Sequence, residues 1–369
     1  MKFKINKLEL LQLLTIVGPV VSTNSSLIVL TGVLIKAEND KIIVQANDSQ
    51  EAIECSASAL IEQQGEVLVS FKLFDDIIKR LQDGIVSLEL KTNPDGMQNL
   101  VINAGAASFM IKTLKSDDFP RFPQLKEINT IQLPFNEFSQ AVKLAGFAAS
   151  EDQSSLSICG VFLKSIGNIL EIVSTDSFRL ARAQVNLSTA PVEDFSVKAS
   201  KKYFKNIISA PKTTDLITIS TNSNQIITKY QNITYVARRI EGEYINYTTF
   251  LPSEFDNELT INTKNFQQSI DRVLPLCGKD TPIKIKASCD LDTCEISATS
   301  KDNESALELV QSKLTGNDME IKLNNYFFND GLRRFPDTDI TIKYTSKIRS
   351  IVFEAENLSY YYFLPVALN

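Results

Sequence analysis

The chain of 369 residues contains no histidine, and that gap removes more chemistry than any other feature of its composition. Without imidazole there is no Ser-His-Asp or Cys-His nucleophile, no imidazole acid or base, and none of the usual zinc sites. Glycine-rich phosphate loops of the P-loop or dinucleotide type are also missing. No apolar stretch approaches a membrane span: the run 10–21 is short and broken by Gln12, Thr15 and Gly18. The opening residues Met1-Lys2-Phe3-Lys4-Ile5 go straight into strand-like alternation without an apolar leader, so a cytoplasmic protein is expected. Five scattered cysteines, Cys55, Cys159, Cys277, Cys289 and Cys294, fit reduced thiols better than a disulfide framework.

Carboxylate chemistry survives these exclusions. Asp117, Asp118 and Asp176 are the candidates for a hydrolase with paired acids. Asp117-Asp118 reads more simply as a solvated turn, and Asp176 as a brace for a turn beside Arg179. No catalytic residue, metal or cofactor is expected.

What the chain does contain is a repeat. Phe3-Lys4-Ile5, Ile131-Gln132-Leu133 and Leu259-Thr260-Ile261 each precede an amphipathic helical pattern, and their starts lie 128 residues apart both times (131 − 3 and 259 − 131). Each unit repeats the strand-helix phrase in its middle, at Val67-Leu68-Val69, Phe195-Ser196-Val197 and Met319-Glu320-Ile321. Alternating runs such as 86–90, 216–220 and 339–343, with turn residues such as Asn93-Pro94-Asp95-Gly96, read as antiparallel strands. The expected fold is α+β: three tandem copies of one domain, two helices packed on antiparallel sheets, over residues 1–127, 128–255 and 256–369.

Charge is segregated. The six helices expected at 7–17, 71–82, 136–147, 200–209, 264–274 and 324–334 hold twelve basic and six acidic residues. They therefore carry +6 within a net charge of −6, leaving 26 basic against 38 acidic residues, or −12, elsewhere. Basic helices on an acidic protein suit sequence-independent contact with phosphates. The candidates are Lys72, Lys79, Arg80, Lys143, Lys201, Lys202, Lys205, Lys264, Arg272, Arg333 and Arg334.

Three phrases are specific enough to name a family. Val173-Ser174-Thr175-Asp176-Ser177-Phe178-Arg179-Leu180-Ala181 resembles the V-A-T-D-G-H-R-L-A segment of the bacterial DNA polymerase III beta subunit (beta sliding clamp) family. Ser116-Asp117-Asp118-Phe119-Pro120 is similar to its A-E-D-F-P phrase, and Tyr361-Tyr362-Phe363-Leu364-Pro365-Val366 to its carboxyl end. With the length and the triplication, the resemblance covers the whole chain.

The resemblance implies the DNA clamp fold in a ring-forming homodimer, a processivity factor without catalytic activity that encircles double-stranded DNA. It implies as partners the DNA polymerase III alpha subunit, the clamp loader and other clamp-binding replication and repair proteins, which dock short peptides. Carried over residue by residue, the peptide pocket comprises Ile158, Thr175, Ser177, Phe178, Arg179, Leu180, Ile245, Thr249, Phe250, Asn324, Phe327, Ile348, Ser350, Tyr362, Phe363, Leu364, Pro365 and Val366. The edges expected to close the dimer are Phe109 and Ile111 against Leu274 and Leu276.

Departures from the family pattern are equally legible. Ser177-Phe178 replaces Gly-His, Ile245 stands where proline is common, and the end Ala367-Leu368-Asn369 lacks the usual penultimate arginine. Asn24 and Ser155-Leu156-Ser157 stand where relatives place DNA-contacting residues. An altered peptide preference is therefore expected. A monomeric three-domain adaptor that binds peptides without encircling DNA is the competing expectation.

Overall fold

The computed structural model describes residues 1–124, 127–209, 215–251, 254–277, 281–345, 350–355 and 358–365; in that last stretch a side chain is described for Tyr362 alone. The first third runs β1 (Lys2–Asn6), α1 (Lys7–Val17), β2 (Gly32–Glu38), β3 (Lys41–Asn47), β4 (Glu51–Ser58), β5 (Leu60–Gln63), β6 (Gly65–Ser70), α2 (Phe71–Arg80), β7 (Ile85–Thr92), β8 (Gln98–Ala104) and β9 (Ala107–Leu114). The middle third runs β10 (Asn129–Pro134), α3 (Phe135–Ala145), β11 (Val161–Ile166), β12 (Ile169–Thr175), β13 (Leu180–Asn186), β14 (Ser196–Ala199), α4 (Lys201–Ser209), β15 (Leu216–Thr221), β16 (Gln225–Tyr230) and β17 (Ile233–Arg238). The last third runs β18 (Asn257–Asn262), α5 (Thr263–Val273), β19 (Ile283–Ala287), β20 (Thr293–Thr299), β21 (Ser305–Thr315), β22 (Met319–Leu323), α6 (Asn325–Leu332), β23 (Asp339–Tyr344), β24 (Ser350–Ala355) and β25 (Leu358–Pro365). Apart from the extra β5, the three series share one order.

Asparagine starts three of the helices. Asn6, Asn262 and Asn324 hold extended backbone and accept hydrogen bonds from first-turn N–H groups that have no partner inside the helix. Four helices, α2, α3, α5 and α6, stop earlier than the sequence suggests, and two of these ends are instructive. After α2, Leu81 turns extended and is buried, and the Nζ of Lys7 donates to its carbonyl at 2.6 Å. α6 ends at Leu332, with Pro336 close behind, so Arg333 and Arg334 fall outside it.

The chain forms two compact units, each built on one antiparallel sheet. The first comprises residues Met1–Phe135, Pro191–Glu193 and Lys205–Arg239. Its sheet of 13 strands runs β10-β15-β16-β17-β4-β3-β2-β6-β9-β8-β7-β1-β5. α1 buries Leu10, Leu13, Leu14 and Val17, and α2 buries Phe74, Ile77 and Ile78. Each such side chain contributes about 1.5–3 kcal/mol on leaving water.

The second unit comprises Asn136–Ala190, Asp194–Phe204 and Ile240–Asn369, and its sheet of 12 strands runs β14-β11-β12-β13-β25-β24-β23-β18-β21-β20-β19-β22. Aromatic rings join helix to helix and helix to sheet. Phe138 meets Phe204 at 6.4 Å between centroids, Phe266 meets Phe328 at 5.6 Å, and Phe328 meets Phe353 at 5.7 Å.

The middle third contributes strands to both sheets, which a reading of three separate domains does not anticipate. In the first unit β17, the closing strand of the middle series, pairs with β4 from Ile233↔Cys55 to Ala237↔Glu51. In the second unit β25, the closing strand of the last series, pairs with β13 from Leu180↔Phe363 to Ala183↔Tyr360. The same joint is thus made twice, each time between a closing strand and the strand that follows a tight turn in the series before.

Candidate functional site

The turn before β13 is the centre of the candidate peptide site. Asp176 Oδ1 accepts the backbone N–H groups of Phe178 and Arg179, each at 3.1 Å, and its Oδ2 accepts Nε of Arg179 at 3.0 Å. This carboxylate is spent on turn architecture, as the sequence suggested. Thr175 closes the turn by donating its hydroxyl to the Arg179 carbonyl at 2.6 Å. Ser177 takes φ of +73°, the left-handed region that a residue with a Cβ enters at a cost. The family's glycine would sit there without strain. Ser177→Gly should therefore leave stability within about 1 kcal/mol of the parent, relief of strain being set against a more flexible unfolded chain; a thermal melt that collapses in this variant would contradict that account.

Arg179 is buried and doubly paired. Its Nη1 reaches Oδ2 of Asp330 at 2.6 Å, and the guanidinium lies 5.0 Å from the rings of both Phe147 and Phe327 and 5.7 Å from that of Tyr326. Burial opposes its charge, but Tyr362, Asp330 and Asp176 more than offset this and hold its pKa above the ordinary arginine value. Tyr362 on β25 is fully buried and donates its hydroxyl to the Phe327 carbonyl at 2.7 Å. Gly331 makes room for it: a Cβ there would lie 2.0 Å from Cε1 of Tyr362.

The surface above this frame is aromatic. Phe178, Phe250 and Tyr326 are exposed, and Phe178 stacks on Phe327 at 5.5 Å with an interplanar angle of 14°. Leu180, by contrast, is buried in a cluster with Phe162, Val173 and Tyr247, as part of the floor rather than the wall. Tyr247 donates to Glu171, which also accepts from Arg182 and Gln184 at 2.9 and 2.8 Å. Burial pushes the Glu171 pKa up, but these three donors outweigh it and hold it below the ordinary glutamate value.

The remaining pocket candidates fall around this frame. Ile158 and Ile245 are half-buried, and Ile245 donates its N–H to the Ser157 carbonyl at 2.8 Å, a bond the family's proline could not make. Thr249 is exposed, and Asn324 caps α6. Ser350 pairs with Pro365, and Phe363, Leu364 and Pro365 lie on β25. Ile348 and Val366 lie outside the described residues.

The basic candidates divide into two groups. Lys72, Arg80, Lys143 and Lys205 are exposed with no acidic partner among the described residues, and Lys202 is exposed as well. The others are engaged. Lys79 pairs with Asp75, Lys264 with Asp337, Arg272 with Glu308, Arg333 with Asp271 and Arg334 with Asp330. Lys201 corrects the sequence reading, because it is only half-exposed and donates Nζ to the Phe147 carbonyl at 2.8 Å. Lys7, counted in the basic excess, is likewise buried against Leu81 and Asp83. The charge available to a ligand is therefore smaller than the sequence sum.

Among the described residues, and apart from β5, β10, β14 and β22 at the ends of the two sheets, two strands are paired along only part of one edge. β9 pairs with β8 along its length, but β6 takes only Thr113 and Leu114 of its other side. β21 pairs with β20, but β18 takes only residues 312–315 of its other side. Phe109 is exposed on the first strand, whereas Ile111 is buried at 7% accessibility in the single chain. Leu274 and Leu276 are half-buried on a 3-10 turn after α5 that packs against β20. The exposed apolar residues on the open edge of the last series are Leu307 and Leu309, which sequence reading missed. The alternation over 305–315 was the available signal.

All five cysteines are unpaired, and the described residues contain no cluster of metal-ligand type. Among the described residues no helix is long and apolar enough to cross a membrane.

Comparison with known proteins bears on these features. Residues 1–123, 132–246 and 248–365 match the N-terminal, central and C-terminal domains of the DNA polymerase III beta subunit. The beta sliding clamp of Bacillus subtilis is 26% identical over 369 residues, covering 97% of this chain and 96% of that protein. That of Synechocystis is 26% identical over 359 residues, covering 92% of each. Among solved structures, the DNA polymerase sliding clamp from Bacillus subtilis superposes with a TM-score of 0.92 at 25% identity, covering 100% of this chain and 99% of that one.

Proposed function

We propose, from the premise that the chain belongs to the DNA polymerase III beta subunit family and works as a DNA sliding clamp, that two copies close a ring around duplex DNA and tether partners through the groove at Arg179. The observation that carries the ring is the repeated joint. β17 on β4 and β25 on β13 use two of three equivalent closing strands, and β9 and β21 are the pair left over. Neither can satisfy the other through the pairings it already makes, so a second copy is the natural complement.

The ring holds DNA by topology, and its protein contacts are to phosphates, which fix no sequence and permit sliding. Its part in synthesis is to tether the replicative polymerase rather than to catalyse. The exposed aromatic surface of the groove, with hydroxyl and amide groups around it, suits apolar anchors of a short peptide. The clamp loader, the polymerase alpha subunit and repair proteins are the partners this assigns.

The test is retention. Loaded on nicked circular DNA the chain should stay bound, and linearising the circle should release it. Changing Lys72, Arg80, Lys143 and Lys205 together to Glu should lower loading at least tenfold at low salt without altering solution mass, and equally on unrelated sequences. Equal retention on circular and linear DNA would sink the ring.

A further inference from the structure

We infer that the turn before β4 frames a second recognition cleft, which holds a short extended peptide by an acidic side chain at Arg238. The turn is built like that of the Arg179 groove. Asp48 Oδ1 accepts the N–H groups of Gln50 and Glu51 at 3.0 and 2.7 Å, as Asp176 does for Phe178 and Arg179. Ser49 has φ of +73°, the value of Ser177. Each turn leads into its joint strand, where Ile53 pairs with Tyr235 as Ala181 pairs with Tyr362. That register matches the two linings residue by residue. Gln50 stands in the place of Phe178, Ala52 in that of Leu180, and Arg238, one residue beyond the pairing of Ala237 with Glu51, in that of Pro365. Where the groove in the second unit has a ring and a proline, the first unit has an amide and a guanidinium.

A cleft of about 270 Å³ opens at this turn, lined by Pro120, Pro123 and Ala52 and by three donors, Gln50, Gln225 and Arg238. Arg238 is exposed with no acidic partner among the described residues, and its backbone N–H donates to the Gln50 carbonyl at 3.0 Å, which ties it to the turn. Arg121, between the two prolines, is likewise exposed with no acidic partner among the described residues. Gln225 accepts from Asn222 through Oε1 at 3.4 Å, so its amide N–H groups remain to donate. The carboxylates nearby are already engaged: Asp48 braces the turn, and Glu51 is buried and accepts from Asn206 of α4 at 3.1 Å. A ligand therefore meets positive charge and amide donors beside prolines. A glutamate or aspartate of a peptide can lay its stem against the prolines and bring its carboxylate to the guanidinium in a charge-assisted pair, with the amides left for its backbone. The volume has room for one or two side chains. A DNA duplex presents a row of phosphates and calls for a row of cations, whereas a single guanidinium set in a cleft matches one carboxylate. This inference rests on the peptide-groove reading of Arg179 and carries it, with the charge of the anchor changed, to the matching turn in the first unit.

Two fluorescent peptides separate the cases, Gln-Leu-Ser-Leu-Phe and Gln-Glu-Ser-Glu-Phe, titrated against the full chain and its variants. The acidic peptide should bind the parent and lose at least tenfold in affinity with Arg238→Glu. Arg238→Lys, which keeps the charge without the planar fork, should lose less. The apolar peptide should be indifferent to both. Phe178→Ala should act the other way, weakening the apolar peptide and leaving the acidic one unchanged. A short DNA duplex added in excess should not displace the acidic peptide. An acidic peptide that does not bind the parent, that ignores Arg238→Glu, or that the duplex displaces overturns the second cleft whatever the apolar peptide does. An apolar peptide that fails on the parent chain overturns the Arg179 groove alone.

Discussion

Leu307→Lys combined with Leu309→Lys should turn a particle of about twice 41.2 kDa into one of 41.2 kDa. The repeated joint supplies the register. Tyr235 opposes Ile53 and Thr234 opposes Glu54 across β17 and β4, and the equivalent positions, fixed by the pairing of each strand with the one before it, set Phe109 of one copy opposite Ala306 of the other, and Ser108 opposite Leu307. Phe109, Leu307 and Leu309 are exposed in the single chain at 39%, 59% and 62%. Pairing the strands would take these side chains out of water, at about 1.5–3 kcal/mol for each fully buried, and would satisfy two rows of backbone groups. Two lysines at these positions remove that gain and add a desolvation cost, while leaving the strand free to pair with β20. Light scattering at micromolar concentration measures the outcome. A parent chain that stays at 41.2 kDa, or a double variant that stays at twice that mass, would contradict the pairing.

Arg179→Ala should abolish peptide binding and lower the unfolding free energy of the second unit by about 2–3 kcal/mol. A buried ion pair broken from one side costs roughly 3–5 kcal/mol, and the partial hydration of Asp176 and Asp330, at 22% and 24% exposure, reduces that figure. The loss extends beyond charge. Removing the guanidinium opens space between Phe147 and Phe327 and frees the turn that presents Phe178. Arg179→Lys restores the charge but neither the planar stack nor the bridge between two carboxylates, so it should recover stability better than binding. Denaturant unfolding and peptide titration on both variants read the two effects separately; full peptide affinity in Arg179→Ala would show that the groove lies elsewhere.

Much of this architecture was legible because it is periodic. The spacing of 128 residues marks strand-helix starts that the structure bears out in all three series, and the brace formed by Asp176 could be read from its place before Ser177 and Arg179. What could not be read depends on partners far away in sequence. Asp330 lies 151 residues from Arg179, and nothing local to either residue records that they meet. Lys201 looks like a solvated helix lysine until the Phe147 carbonyl is found beside it. The sharing of the middle series between two sheets follows from pairings between series, which period-two alternation cannot specify.

The joint between closing strand and turn strand has a further consequence for assembly. It is heterologous: each copy offers one donor edge, β9, and one acceptor edge, β21, and they are different surfaces. Such contacts propagate until the geometry returns to the start, so strand chemistry alone does not count the copies. A chain with β21 blocked by lysines still has a competent β9 and can bind the β21 of an unmodified copy. That mixed pair would end with a competent β9 at one end and a disabled β21 at the other, so it could not close on itself. It would hold partners at its grooves yet be unable to keep hold of DNA.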